Sequence, residues 1–444
     1  MRISHDILIA GGGVAGLTAA AAFGAAGFSV LCLDPGPVAA TPTRTAADLR
    51  TPSQTAADLR TTARTAADLR ATARTAADLR TPAQTAADLR TPTQTGADLR
   101  TTAFLQPARA LLDACGLWPR LAPFATPLQV MRIVDVGGTA PVTRDFDAAE
   151  LGDLPFGWNL PNWLLRRELA AHLAGLAGVT YRPGTSFAGM LARDDGALVR
   201  LDDGSQVAAR LVIGADGRDS AVRRAAGIGV RTRHHGQKAL VFAVTHATPH
   251  DNISTEVHRQ GGPFTLVPLP DLDGRPCSSV VWMDDGPAIV ALAALEPEAF
   301  ALAATERSAG VLGSLTLASA RQVWPIITQL AHAMTAPRVA LMAEAAHVLP
   351  PIGAQGLNTS LADLACLLKL VRAAPGDPGA PRVLAAYARR RHPQVMLRAA
   401  GVDALNQASM AGSDPLRALR AAGLRALHDI APVRRALMRL GVGA

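Results

Sequence analysis

Aromatic side chains make up only 4% of this 444-residue sequence, and cysteine occurs four times. Cys32, Cys115, Cys277 and Cys366 are scattered, with no C-x-x-C pair and no ligand spacing. Neither a disulfide framework nor a metal site is expected, and reduced cytosolic thiols are. The eleven histidines hold no H-E-x-x-H pair, and His234-His235 reads as a surface loop. Lysine is almost missing, so nearly all the cations behind the net charge of +8 are arginines. Basic charge often signals nucleic acid, but so few aromatics and no nucleic-acid module argue against such a partner. Residues 7–33 contain no charged side chain, which a hydropathy window reads as a membrane span or, behind Arg2, as a signal peptide. Neither explains regularly spaced glycines, and the repeated Gly and Ala make the run less hydrophobic than a leucine-rich span. About half of the chain is apolar, enough for a large core and two domains.

The most informative stretch runs from Val339 to Asp363. It reads as a hydrophobic strand, a pivot carrying Glu344 and His347, the pair Pro350-Pro351, and a loop bracketed by Gly353 and Gly356. A helix then starts near Leu357. Backbone N–H groups at a helix start are unpaired and carry roughly half a positive charge between them. Such a loop can hold an anion, or a ring that becomes anionic on reduction. The prolines fix φ and donate nothing, so they stiffen the approach. Without a ligand the same residues would make a buried strand–turn–helix corner.

A second block lies at the N-terminus. An apolar run, Ile3 to Ala10, precedes Gly11-Gly12-Gly13-Val14-Ala15-Gly16, an Ala-rich helical segment to about Gly27, and a second β-run from Ser29 ending at Asp34. Gly11 suits a tight turn, Gly13 lets backbone approach a pyrophosphate, and Gly16 lets helix and strand pack closely. Asp34 sits near the spacing for a carboxylate on adenosine ribose hydroxyls. A third block, Leu211 to Ser220 with Val222-Arg223, is an apolar strand ending in a turn that exposes Asp216, with Ser220 placed to cap the next helix. Alone it is also a β-turn-α corner whose aspartate merely caps a helix.

Together these blocks resemble the aromatic-ring hydroxylases, single-component FAD monooxygenases. Their second flavin motif, G-D-A-A-H-x-x-P-P-x-x-G-x-G-x-N, is similar to Ala343-Glu344-Ala345-Ala346-His347, Pro350-Pro351, Gly353, Gly356 and Asn358. Gly214-Ala215-Asp216-Gly217 with Ser220 and Arg223 resembles their G-A-D-G-x-x-S-x-x-R motif, which serves both FAD and the nicotinamide donor. Ala343 and Glu344 depart from the family's Gly-Asp pair. The resemblance implies an α/β fold: a Rossmann-like FAD-binding domain with a second domain of mostly antiparallel sheet and C-terminal helices. The FAD-binding parts are expected at 1–125, 161–234 and 336–375, substrate-domain parts at 126–160 and 235–335, and helices over 376–444.

It also implies FAD as cofactor, NAD(P)H as co-substrate, O₂ and a small apolar aromatic substrate. Gly11, Gly13, Val14, Ala15, Gly16 and Asp34 would hold the adenosine diphosphate end. Asp216, Glu344, Gly353, Gly356, Leu357 and Asn358 would hold the flavin end, with the backbone of Leu357 and Asn358 at its N1/O2 edge. Arg166, in the helical register Arg166, Leu169, Leu173, looks like the family's arginine beside the flavin. Pro351 would wall the reacting oxygen, and His347 is a proton participant or, better supported, a structural bond to the loop. No side chain stands out as a general base. Leu405-Asn406 and Asp414-Pro415-Leu416-Arg417 are similar to the ubiquinone-biosynthesis branch, which implies a polyprenylated phenolic precursor. Val241, Phe242, Val244, Phe264, Leu266, Val280 and Trp282 supply an apolar sheet that would suit it. The rival readings are a flavin oxidoreductase without oxygen insertion, such as a prenyl reductase, and a degenerate FAD-binding protein.

Ala-Asp-Leu-Arg or a near copy recurs every ten residues from 45 to 100. A pentapeptide solenoid would turn Gln54, Arg64, Arg74, Gln84 and Gln94 inward, at several kcal/mol for each buried charge. Short helical turns on a tether would bury only one leucine per ten residues. A tandem expansion inserted at 44–96, mobile and on the surface, is the favoured reading. The last copy leads into a helix from Gln106, and in the family an arginine just ahead of that helix reaches the flavin's ribityl-pyrophosphate region, which points to Arg100. The tail over 415–444, with six arginines against one aspartate, reads as a basic amphipathic helix pair. Such helices either pack on the core or lie on an anionic membrane, so the expected location is cytoplasmic, with the inner membrane as a peripheral surface.

Overall fold

The computed structural model describes residues 3–36, 100–136, 141–259, 261–410 and 428–442. The repeat at 44–96 and the segment 414–417 lie outside the described residues.

The charge-free N-terminal run folds as strand His5–Ala10, helix Val14–Ala25 and strand Val30–Asp34. Ile7, Leu8, Ile9, Val30, Leu31 and Cys32 are fully buried, because this part of the sheet is covered on both faces, as parallel sheets are. That burial, rather than a bilayer, accounts for the hydropathy. Among the described residues no helix is long and apolar enough to cross a membrane. The parallel strands run in the order Val339–Leu341, Gln206–Gly214, His5–Ala10, Val30–Asp34 and Val179–Pro183. A hairpin, Phe187–Ala192 with Ala197–Leu201, extends this sheet through Gln206–Gly214.

The second sheet has nine strands. Its main path runs His347–Val348, Gln322–Ala331, Val230–Thr245, Arg275–Asp285, Pro263–Leu272, Ile253–His258, Val130–Asp135 and Val142–Asp147. All these neighbours are antiparallel except Ile253–His258 with Val130–Asp135. Helices Gly286–Ala293 and Pro297–Arg307 contribute Ile289 and Phe300 to the core against one face, with Leu240, Phe242, Val244, Phe264, Leu266, Val280 and Trp282. Side chains alternate along a strand, so Val241, Thr265 and Val281 project to the opposite face. That face meets the parallel-sheet half: Val281, Ala239 and Met283 pack with Ile352. Six of the seven apolar residues expected to line a substrate pocket therefore belong to the core under the helices, and only Val241 turns toward the cleft. Hydrophobicity marks burial on either face of a sheet and does not say which.

A small sheet, Thr101–Leu105, Gly157–Pro161 and Thr126–Leu128, bridges the halves. His234 and His235 are not in a loop. They lie in strand Val230–Thr245 at a register shift, where the His235 ring bonds Thr328 Oγ1 at 2.9 Å and faces Asp403 at 3.5 Å.

Candidate active site

The fingerprint forms the turn its spacing demands. Gly11 has φ +118°, and a β-carbon there would stand 2.2 Å from the carbonyl oxygen of Ala215. Gly16 is just as tight, 1.8 Å from the Gly11 oxygen. Gly13 differs: a β-carbon there would meet nothing within 4 Å. The helix that follows has no side-chain cap and no acid in its first turn, so the amides of Val14, Ala15 and Gly16 are left for an anion. Packing explains two of these glycines, and open space explains the third.

Asp34, at the end of its strand, is buried against Gly12. It accepts from Arg166 Nη2 at 2.7 Å, the Tyr181 hydroxyl at 3.0 Å and the Gly36 amide at 2.9 Å. Burial, reinforced by Asp34, pushes the Tyr181 hydroxyl far above its usual range, so it acts as a donor. Arg166 thus sits at the Asp34 end of the site, while the family resemblance implies a place beside the flavin. Helix Asn162–Leu173 crosses behind the first helix, and only the folded pairing reveals the partner.

Asp216 lies beside the fingerprint, its strand joined to the first by the Ala215 amide on the Ala10 oxygen at 2.8 Å. One carboxylate oxygen caps helix Ala221–Ala225, accepting from the amides of Ala221 and Val222 at 2.7 and 3.1 Å. Ser220 caps the Arg223 amide at 2.9 Å. The other oxygen, Asp216 Oδ1, is buried and has no hydrogen-bond partner among the described residues. A buried acceptor left unpaired costs about 1–3 kcal/mol, so it calls for a donor that the protein does not supply.

The pivot of the third block is held from three sides. Ala343 adopts φ +55°, a left-handed conformation that a glycine takes without strain and an alanine does not. Its amide reaches Asp363 Oδ2 at 3.3 Å, and Arg223 donates to the Ala345 oxygen at 2.8 Å. His347 is almost wholly buried, with Nε2 2.6 Å from Asp363 Oδ2, and Arg391 Nε donates to the other Asp363 oxygen at 2.8 Å. The His347 bond therefore runs to helix Gln355–Arg372, not to the loop, and its side chain is closed off from the cleft. Asp363 and Arg391 are absent from the sequence reading; a buried pair this far apart in the chain leaves no local pattern.

Glu344 points outward, 45% exposed, and pairs with Arg100 at 3.6 Å. The Arg100 guanidinium also lies 4.6 Å from the centre of the Trp324 ring, a contact the sequence did not suggest. Pro350 is buried and Pro351 exposed. The helix expected near Leu357 begins at Gln355, after a left-handed Gly353-Ala354 turn, again with no side-chain cap and no acid in its first turn. The Gln355 amide donates to the Ile352 oxygen at 3.4 Å, so the amides left open are those of Gly356 and Leu357, and the Asn358 amide falls inside the helical ladder. The Asn358 side chain ties the small sheet to this helix, accepting from the Leu105 amide at 3.0 Å and donating to the Ala103 and Ala354 oxygens, each at 2.7 Å. A β-carbon at Gly356 would meet nothing within 4 Å.

Two uncapped helix starts with open space before them, and an unpaired buried carboxylate oxygen between their strands, fit an extended dinucleotide such as FAD. The sequence profile of the FAD binding domain family matches residues 89–400. This chain belongs to that family. It is 35% identical to ubiquinone hydroxylase UbiL of Rhodospirillum rubrum over 75% of this chain and 77% of that protein. It is 29% identical to 3-demethoxyubiquinol 3-hydroxylase of Escherichia coli, covering 67% and 76%. Among solved structures, p-nitrophenol 4-monooxygenase PnpA of Pseudomonas putida superposes with a TM-score of 0.72 at 18% identity, covering 99% of this chain and 97% of that one. This FAD-dependent aromatic hydroxylase thus has the expected α/β architecture, and its cofactor is FAD with NAD(P)H as the family's co-substrate.

A cleft beside the bridging sheet is lined by Thr101, Pro161, Trp163, Leu269, Cys277 and Ser279. Burial first, then Asp271, pushes the Cys277 thiol up to about 12, so it stays protonated there. Asn406, singled out in the sequence, is fully buried and donates to Gln237 at 2.8 Å.

Proposed function

We propose that the chain hydroxylates a polyprenylated phenolic precursor of ubiquinone, using NAD(P)H and O₂. The observation that carries this is the 35% identity to a ubiquinone hydroxylase over three quarters of the chain. When bound, FAD would supply the redox chemistry, taking up hydride from NAD(P)H and activating O₂. The protein's part is positional. Gly11, Gly13 and the amides of Val14, Ala15 and Gly16 hold the pyrophosphate, and Asp34, oriented by Arg166 and Tyr181, takes the adenosine ribose. Asp216 Oδ1 and Glu344 would accept from ribityl hydroxyls, with Arg100 offsetting the charge of Glu344. The first-turn amides of Gly356 and Leu357, after the turn at Gly353, would face the ring of the bound cofactor and favour negative charge there. Pro351 walls off the reacting oxygen. His347 shapes the pivot through Asp363 instead of moving protons.

The same reading gives the C-terminal helix Ala431–Val442 a membrane role. Met438 and Val442 pack inward on Ala148 and Phe156, while Ile430, Val433, Leu437 and Leu440 are exposed. Exposed apolar residues on a helix bearing Arg435 and Arg439 suit an anionic bilayer, where a polyprenyl substrate resides. Vesicles containing phosphatidylglycerol should retain the protein on flotation, and Leu437→Asp with Leu440→Asp should release it; equal retention of that variant refutes the role.

The enzymatic test is oxidation of NAD(P)H by the FAD-loaded protein with polyprenylated phenols, with products weighed by mass spectrometry. A gain of one oxygen atom, coupled to NAD(P)H use, is the expected result. Prenyl-chain reduction without oxygen gain would favour a reductase, and a colourless, inert protein would end the reading.

A further inference from the structure

The substrate-facing side of the nine-stranded sheet carries a polar pair that the motifs do not include. One cross-strand row reads Val241, Val281, Thr265, Glu256, each residue directly opposite the next. Glu256 therefore shares the cleft face with Val241 and Val281, and His258, two residues on along the same strand, shares it too. Val281 packs with the cluster containing Ile352 of the flavin loop. Two strand spacings, about 10 Å, separate Val281 from Glu256, with Thr265 between them in the row.

Glu256 Oε1 lies 2.7 Å from His258 Nε2. A carboxylate only accepts, so Nε2 carries a proton, and Nδ1 is the ring nitrogen turned away from Glu256. That nitrogen is buried and has no partner among the described residues. Burial opposes the charge on Glu256, but the contact with His258 and a bond from Thr265 outweigh it and hold the carboxyl below its usual range. The pair is the arrangement a general base requires, a fixed tautomer with a free acceptor.

We propose that His258 receives the hydroxyl proton of the phenolic substrate on Nδ1, with Glu256 as the positioning residue that fixes the ring. The inference rests on the hydroxylase reading. The O–H bond of the phenol breaks, its proton moves to Nδ1, and the resulting imidazolium keeps its Nε2 proton on the Glu256 carboxylate. The electron pair left on oxygen activates the ring carbon that takes up oxygen, and no redox step occurs at this pair. In the sequence the only trace is Glu256-Val257-His258, an alternation that places two polar groups on one strand face.

The test compares binding of 2-geranylphenol and its methyl ether to the FAD-loaded enzyme, read by perturbation of the flavin absorbance. A hydrogen bond of ordinary strength predicts about 10-fold tighter binding of the phenol. His258→Phe should bring the ratio to about one, and His258→Asn, which keeps an acceptor near the Nδ1 position, should restore part of it. Glu256→Gln should preserve most of the ratio yet lower product formed per NAD(P)H, because a neutral amide stabilises the imidazolium less. A wild-type ratio near one, or a ratio unchanged in His258→Phe, overturns the inference while leaving hydroxylation itself intact. Absence of any oxygenated product from wild type would instead count against the hydroxylase reading, which the binding ratio does not depend on. If His258→Phe loses FAD or fails to fold, the His258→Asn and Glu256→Gln results decide.

Discussion

Replacing Asp363 tests whether the pivot is held as described. The carboxylate is fully buried and takes charge-assisted bonds from His347 at 2.6 Å and Arg391 at 2.8 Å, plus a long one from the Ala343 amide at 3.3 Å. Removing one partner of a buried ionic pair typically costs about 3–5 kcal/mol, because the other charge is left without compensation. Arg391 keeps its bonds to the Thr359 oxygen and to Gln394, so Asp363→Ala belongs near the lower end, about 3 kcal/mol. Asp363→Asn keeps the volume and one acceptor but loses the charge, for a cost of about 2 kcal/mol. Arg391→Met added to Asp363→Ala should cost little more, giving a coupling energy of about 2 kcal/mol in a double-mutant cycle. Urea unfolding of wild type, the three single variants Asp363→Ala, Asp363→Asn and Arg391→Met, and the double variant, followed by circular dichroism, measures these differences. FAD affinity should fall in parallel, since the Ala343-Glu344 pivot is loosened. A cost below about 1 kcal/mol for Asp363→Ala, or an additive cycle, would refute the network as the support of the pivot.

Gly13→Ala should leave the unfolding midpoint nearly unchanged, since its β-carbon meets nothing, yet weaken FAD binding at least tenfold; Gly16→Ala should fail to fold, because its β-carbon would overlap the Gly11 oxygen. A Gly13→Ala protein with full FAD affinity would remove the pyrophosphate from that position. Arg100→Ala should weaken FAD binding measurably by flavin fluorescence while Arg60→Ala does not; equal losses would sink the assignment of the last repeat copy. Burial, the largest cause in each case, lowers the pKa of His172, His235 and His246 below 6.5. The unfolded chain then binds protons that the folded chain refuses, so stability should fall as pH drops through about 6.5. His246→Gln should flatten that slope, and an unchanged slope would exclude His246 as a contributor.

The FAD half was legible because its signals are local. A strand, a glycine turn and an acid within residues 5–34 are one contiguous unit, and the 339–363 block is another. What was not legible depends on contacts between distant segments. Arg166 finds Asp34 across 132 positions, and Arg391 finds Asp363 across 28, with no periodicity to announce either. The apolar strands were correctly read as sheet, but a period of two carries no label for which face meets solvent, cofactor or helix. Glu256 and His258 went unnoticed for the same reason: their meaning lies in the row of neighbours. The departures at Ala343 and Glu344 were visible, but the left-handed backbone at Ala343 needed the coordinates.

The topology of the parallel sheet also sets a timetable for synthesis. Strand His5–Ala10 pairs with Val30–Asp34 on one side, but its other edge waits for Gln206–Gly214, and that strand waits in turn for Val339–Leu341. At about 5–20 residues per second on the ribosome, the roughly 200 residues between the first two leave an apolar strand edge open for on the order of 10–40 seconds. Until the helix at Gln355 has emerged, no intact flavin cradle exists to be stabilised by ligand. The newborn chain therefore depends on chaperone protection early and on cofactor supply late, and FAD scarcity should lower its yield in cells more than its activity once folded.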